Sequence, residues 1–427
     1  MELQNLIEWN PWWEDNKQIK NLKGKHRPKY DSLINSVKIK EITIIIGIRR
    51  SGKSTLMYQM ISNLLKEHID PRQILFINLE DKKLTQDSLE EIYQEYRKTL
   101  NPEKKAYIFL DEIHKRKEWE LWIRKKYDQK TNDKFIISGS CSYLLKKEYS
   151  TLLTGRNLTF EVTPLSFAEY LNFKEINITQ ENLKKDLILE KTKNQITTLL
   201  SQYLNEGGFP EIILKEKEYK MKLLKQYFED IIFKDVIDRY NSNAKKTEDL
   251  ALYLITNFTS LTSLRNLRNS LGISYDTIKD YLEYFKEAFL FFPLEHFSYS
   301  FKEQKVLAPK IYCIDNGLRN AVSFKFSNDE GKLAENLVFM ELKRREEDAY
   351  YWTGEGEVDF IVKSVNNSLT AINVSFTNEI SKREIKSLLE FQKKFNLCKN
   401  LFIITKDLEK KEDNIQYIPL WKWLLTN

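Results

Sequence analysis

Apolar residues follow two rhythms along this chain. In the first third, short and nearly unbroken apolar runs alternate with longer stretches whose apolar positions recur every three or four residues. The runs at 42–46, 74–78, 107–111, 135–138 and 158–162 read as five buried strands, and 56–66 reads as a helix. Strands alternating with helices predict an α/β fold, a parallel sheet with helices on both faces. From 166 to about 240 the pattern is helical, broken where Gly207-Gly208-Phe209-Pro210 cannot continue a helix. The amphipathic stretch 230–240 is expected to turn its acidic residues to solvent. Residues 248–293 read as helix, helix, turn, helix. Leu271-Gly272-Ile273-Ser274 is the turn, 276–289 a candidate recognition helix, and 291–301 an extended wing. Beyond 304 the pattern mixes strands (311–315, 350–352, 357–362, 369–376, 400–405) with helices (330–345, 379–395).

One segment in this pattern carries chemistry. Directly after the first strand stands Gly47-Ile48-Arg49-Arg50-Ser51-Gly52-Lys53-Ser54-Thr55, which fits G-x-x-x-x-G-K-[ST], the phosphate-binding loop. Strand, glycine loop and helix are what that chemistry requires. Glycines let backbone N–H groups close around phosphates, Lys53 adds a point charge, Ser54 offers a hydroxyl to Mg²⁺, and the helix N-terminus adds its positive end. Arg49 and Arg50 lie either near the phosphates or in solvent.

The third strand ends Leu110-Asp111-Glu112, an apolar run leading into an acidic pair. Asp111 is placed to hold Mg²⁺ through water, and Glu112 to polarise an attacking water. The fourth strand ends Ser138-Gly139-Ser140. Ser140, and next Ser138, is the candidate to sense a γ-phosphate; the alternative is a helix N-cap for 142–147. Asn78, ending the second strand, either restrains Glu112 or caps a loop. ATP and Mg²⁺ are the ligands these motifs call for.

Composition narrows the rest. Among 427 residues, 41% are hydrophobic, enough for substantial cores and, by length, for two or three domains. No apolar run approaches the ~18 residues of a membrane span, and the polar N-terminus shows no signal-peptide pattern. The three cysteines, Cys141, Cys313 and Cys398, are scattered and, with only four histidines, form no disulfide framework and no zinc spacing. A cytoplasmic protein with no membrane partner is expected. A net charge of +6, from 68 basic and 62 acidic residues, permits nucleic-acid contact without arguing for it.

The order of Gly47 to Thr55, Asn78 to Asp81, Asp111-Glu112, Ser138-Gly139-Ser140, Gly155-Arg156 and Pro164-Leu165-Ser166-Phe167 resembles one family. It is that of archaeal and bacterial AAA-type ATPases with a C-terminal nuclease-like domain of unknown function. Glu8-Trp9-Asn10-Pro11-Trp12-Trp13 resembles that family's N-terminal arm, and Gly207 to Glu211 a signature after its core. The resemblance implies five segments: arm 1–30, P-loop core 31–165, helical lid 166–244, winged-helix-like 245–302 and nuclease-like 303–427. It also gives Arg156 the place of an arginine finger, supplied to a neighbouring copy in a homo-oligomer; the alternative is a structural ion pair.

The C-terminal segment departs from a PD-(D/E)xK nuclease site. Asp359 stands where such a site has its Asp, with Glu335 and Glu357 beside it as candidate acids. On the next strand Asn373 and Ser375 replace the second acid and the lysine. Cleavage is therefore not expected, and the three acids either hold a metal weakly or serve as structural polar groups. The candidate recognition helix offers Ser274, Tyr275, Lys279 and Arg268, but Asp276, Asp280 and Glu283 would repel phosphate. DNA and protein both stay open as partners.

Overall fold

The computed structural model describes residues 3–426 apart from 102, 130, 143–152, 154, 185–187 and 324–328. The helix expected at 142–147 lies almost wholly outside the described residues. The chain divides into two compact units, Met1–Val162 and Thr163–Asn427. The first boundary falls three residues before the one the sequence suggests, and the second unit holds together the three later segments.

The first unit is built on five parallel strands: β1 (Ile42–Ile46), β2 (Ile74–Asn78), β3 (Tyr107–Asp111), β4 (Lys134–Gly139) and β5 (Asn157–Glu161), in the order β2-β3-β4-β1-β5. All five residues of β1 are buried, which explains its unbroken run of Ile and Thr. Alternate residues serve opposite faces. Ile136 joins Phe76, Phe109, Met57 and Met60 in a core beneath helix α1 (Lys53–Lys66). Its neighbour Phe135 meets Trp122 of α3 (Trp119–Asp128), which in turn meets Tyr93 of α2 (Leu89–Thr99). Helices therefore cover both faces, and all five carboxyl ends open on one side.

β2 lies at a sheet edge, and the N-terminal arm closes it. The buried Asn10 amide donates to Phe76 O at 2.8 Å and accepts from Phe76 N at 2.7 Å, replacing a neighbouring strand. Trp12 and Trp13 both donate their indole N–H to Ile74 O, at 3.3 and 2.8 Å. This accounts for the Trp-Asn-Pro-Trp-Trp sequence: aromatic bodies fill the core beside α1, and polar tips satisfy an edge.

In the second unit, α4 (Phe167–Phe173) starts with a capping box between Ser166 and Glu169, followed by α5 (Glu190–Glu206) and α6 (Lys217–Asp230). A π-helical segment, Ile231–Ile237, continues α6 and buries Asp235 along with its apolar neighbours. This corrects the expectation that the acidic residues of 230–240 all face solvent. Gly207 and Gly208 have a packing reason. Gly207 sits at φ +74, where a Cβ would lie 2.0 Å from Asp315 Oδ1, and Gly208 N donates to Asp315 Oδ2 at 2.7 Å. Burial raises the Asp315 carboxyl to about 6, against the pull of the Gly208, Leu318 and Gly317 amides.

Helices α7 (Ala244–Thr256), α8 (Leu264–Leu271) and α9 (Tyr275–Glu287) follow, with Gly272 at φ +64 and Ser274 capping α9. β6 (Phe291–Leu294) then pairs antiparallel with β7 (Lys310–Cys313), so a strand expected in the C-terminal segment completes the sheet of the preceding one. Helix α10 (Glu330–Arg344) leads into a six-stranded sheet of β8 (Asp348–Thr353), β9 (Glu357–Lys363), β10 (Leu369–Ser375), β11 (Cys398–Thr405), β12 (Lys410–Glu412) and β13 (Ile415–Pro419), ordered β12-β13-β11-β10-β9-β8. Helix α11 (Lys382–Lys394) packs on it through Leu388 and Phe391. Among the described residues no helix is long and apolar enough to cross a membrane.

Asn10→Ala would strand the buried Phe76 amide and carbonyl. A loss of about 2–3 kcal/mol in stability is expected, read as a lower urea midpoint of the first unit's transition. An unchanged midpoint would mean that the arm does not close this edge.

Candidate functional site

At the carboxyl ends of β1 and β3 the backbone takes unusual turns. Gly47 has φ +146, and a Cβ there would lie 2.0 Å from Val162 O. Gly52 has φ +100, while Arg50 and Glu112 are left-handed without being glycine. Non-glycine residues adopt this region at a cost and persist there only when their surroundings impose it. Here the strain is gathered in the loop and at the acidic strand end facing it.

The side chains converge. Ser54 Oγ donates to Asp111 Oδ2 at 2.5 Å, and Ser138 Oγ donates to Asp111 Oδ1. Ser138 Oγ also accepts from Glu112 N at 3.2 Å. Lys53 is buried and turns its ammonium back onto the carbonyls of Gly47 and Ile48, at 3.0 and 3.2 Å, with Glu112 Oε1 at 3.9 Å. Glu112 Oε2 accepts from Ser140 N at 3.2 Å and lies 3.3 Å from His114 Nδ1. Burial, and then the neighbouring Glu112 charge, pushes Asp111 up to about 6; Ser138, Ser54 and Lys53 pull the other way. Two carboxylates, two hydroxyls and one ammonium thus share a pocket largely closed to water.

The surroundings hold the loop in shape. Arg27, buried, donates to Ser51 O at 2.9 Å with its guanidinium over the Tyr30 ring. Arg49 pairs with Glu80 at 3.1 Å, and Lys115 lies 3.7 Å from the same carboxylate. Burial would raise Glu80, but these cations hold it below the usual range. Arg49 therefore braces the loop from the end of β2.

Comparison with known proteins places this geometry in a family. Residues 39–171 match the AAA domain, 197–329 a domain of unknown function (DUF8612), and 330–423 another (DUF4143). The chain is 35% identical over 407 residues to the uncharacterized protein MJ1544 of Methanocaldococcus jannaschii, covering 90% of this chain and 88% of that one. It is 30% identical over 404 residues to an uncharacterized protein of Haemophilus influenzae, covering 90% and 94%. The chain belongs to this family of AAA-domain proteins. A similarity to AMPPCP-bound DnaA from Aquifex aeolicus, at TM-score 0.27 and 14% identity over 61% of this chain and 88% of that one, carries no argument.

Within the AAA domain the remaining candidates fall apart into two groups. Ser138 gives its hydroxyl to Asp111, whereas Ser140 reaches Glu112 through its backbone N–H. Asn78 Oδ1 accepts from Glu80 N at 2.9 Å, the loop-capping alternative; the groups beside Glu112 are Lys53, Ser140 and His114. Arg156 immediately precedes β5, at the amino ends of the strands, about 20 Å from the loop along β1. Its Nε pairs with Asp128 at 3.0 Å.

The second unit holds another polar centre, built from the three candidate acids and a lysine that the sequence does not announce. Lys310, on β7 and 2% exposed, places its ammonium 3.0 Å from Glu335 Oε1 and 3.3 Å from Asp359 Oδ1, and bonds Glu357 Oε1. Tyr312 donates to Glu335 at 2.7 Å. Asn373 Oδ1 accepts from Asp359 N at 3.1 Å, and its amide donates to Glu384 Oε2 at 2.7 Å and Ser387 Oγ at 3.0 Å. Burial, then Asp359, lifts Glu335 to about 7; burial also raises Asp359, against Lys310. The three expected acids do meet, around an ammonium. Lys310 was missed because it opens a strand whose apolar run starts at Ile311, and because its acidic partners lie 25 to 49 residues further along the chain.

Gly47→Ala forces a Cβ against the Val162 carbonyl. A destabilisation of at least about 2 kcal/mol is expected, measured as a shift in the denaturation midpoint; a fully stable variant would show that the loop has room to move.

Proposed function

We propose that the first unit binds ATP with Mg²⁺ and hydrolyses it. The observation that carries this reading is the hydrogen-bonded line Ser54–Asp111–Ser138, set beside Lys53 and Glu112 at a phosphate-binding loop. Loop N–H groups and the start of α1 would cradle the phosphates. Lys53 would exchange the Gly47 and Ile48 carbonyls for phosphate oxygens, at little cost because the ammonium stays paired. The oxygens of Ser54 and Asp111 already converge, so they fit a divalent cation: Ser54 would ligate Mg²⁺ directly and Asp111 through water. A cation held by Ser54 and Asp111 would offset phosphate charge. Glu112, steered by Ser140 N and His114, would orient and activate the attacking water.

Arg156 would act on the nucleotide of a neighbouring copy, after giving up Asp128. In a homo-oligomer this makes turnover depend on assembly. The second unit would turn nucleotide state into partner binding. The helix–turn–helix of α8 and α9 with the β6–β7 pair is read as winged-helix-like. Its exposed face carries Asp276, Asp280 and Glu283 among Arg268, Tyr275 and Lys279, which favours a protein partner over DNA. The nuclease-like reading of the C-terminal segment is kept for shape only. Asn373 and Ser375 supply neither the second acid nor the lysine.

Purified protein is expected to release phosphate from ATP only with Mg²⁺. Glu112→Gln should keep ATP affinity within about threefold while lowering turnover at least about 100-fold. Lys53→Ala should weaken ATP binding itself, by roughly 30-fold or more. Turnover that persists in Glu112→Gln would defeat the assignment. Supercoiled plasmid should stay intact with Mg²⁺ or Mn²⁺, and cutting lost in Asp359→Ala would reverse the view of the second unit.

A further inference from the structure

Glu335 comes from α10, Glu357 and Asp359 from β9, and all three turn toward one point. Three carboxylates from a helix and a strand, aimed at a common centre with Glu335 and Asp359 mostly shielded and Glu357 half-buried, are what a hard divalent cation requires. Bringing them together without a cation would be prohibitive, since each buried charge costs several kcal/mol unless compensated. In this chain the centre is filled from within. The Lys310 ammonium stands there, bonded to all three acids. Among the described residues, no group of three or more His, Cys, Asp or Glu is arranged to hold a metal ion.

We propose that Lys310 is the resident cation of this cage: its ammonium occupies the seat of a divalent ion, so the wild-type second unit binds no metal there, while the cage keeps the ligand set of a cation site that removing Lys310 would open.

The geometry supports the exchange. Nζ–O distances of 3.0 and 3.3 Å need to shrink by about 1 Å to reach the ~2.1–2.2 Å of Mg²⁺ or Mn²⁺. A shortened side chain at 310 would also leave room for water ligands. Charge points the same way: three carboxyl groups face one ammonium, and burial with mutual repulsion raises Glu335 and Asp359. Among the described groups beside the cage, the one further cation is Arg383, which is exposed and acts on Glu384. Tyr312 donates a hydroxyl, Asn373 is a neutral amide, and Glu384 beyond it is a fourth acid, raised to about 7 by burial and then Asp359. A dication should therefore be bound more tightly than the ammonium it replaces, once the tether is cut.

The test uses full-length protein without nucleotide. Thermal unfolding and Mn²⁺ electron paramagnetic resonance are recorded in EDTA and in about 1 mM MnCl₂, a probe that suits an oxygen cage. Wild type should show the same second-unit Tm in both, and its Mn²⁺ signal should not change with Asp359→Asn. Lys310→Ala should melt about 5–10 °C lower in EDTA and regain at least half of that with MnCl₂. The double variant Lys310→Ala/Asp359→Asn should regain nothing. If Lys310→Ala does not fold in EDTA, refolding from urea with and without MnCl₂ reads the same recovery, as does the milder Lys310→Gln. The proposal is overturned if neither variant gains Mn²⁺ binding or stability, or if wild type already binds Mn²⁺ at a site lost with Asp359→Asn.

Discussion

A carboxylate taken out of water must be compensated by a cation or by hydrogen bonds, and both units of this protein are organised around that constraint. In the first, Asp111 and Glu112 end a buried strand. Two serine hydroxyls, the backbone amide of Ser140 and the ammonium of Lys53 stabilise them. In the second, Glu335, Glu357 and Asp359 gather around Lys310. The two lysines differ in what else they touch. Lys53 leans on loop carbonyls, which a phosphate can replace. Lys310 is enclosed by its three acids. One arrangement is poised to exchange partners and the other is locked.

Backbone distortion accompanies the same constraint in the first unit. Left-handed Arg50 and Glu112, and Gly47 and Gly52 at high positive φ, cluster around the proposed nucleotide site. The sheet below them is regular and buried on β1, β3 and β4. Regular strands fix the positions of Asp111, Ser138 and Gly47; the strained turns aim Lys53 and Glu112 across the gap between strands. The arm contributes at a distance, closing the β2 edge through Asn10 and bracing the loop through Arg27.

The fold of the first unit was legible because each strand is a short apolar run ending at a turn signal, and all five strands lie within a residue of the structure at both ends. The loop was legible because its glycines and lysine sit at spacings that the backbone geometry demands. What escaped was long-range polar pairing. The Asn10 amide beside Phe76, Asp315 beneath Gly207-Gly208, and Lys310 among acids up to 49 residues away in sequence leave no periodic trace. A buried lysine reads as surface until its partners are in place. Asp235 was misjudged for a related reason: a π turn rotates positions that α-helical spacing puts in solvent.

The central claim is that Asp111, bridged by Ser54 and Ser138, is the heart of a Mg·ATP site. Its most direct measure is how strongly Mg²⁺ strengthens nucleotide binding, obtained by titrating a slowly hydrolysed ATP analogue with and without the ion. Wild type should gain at least about tenfold in affinity with Mg²⁺, and Asp111→Asn should lose that gain while keeping its Mg²⁺-free affinity. A wild-type protein that binds no nucleotide, or an Asp111→Asn variant that keeps the full Mg²⁺ effect, would contradict the account.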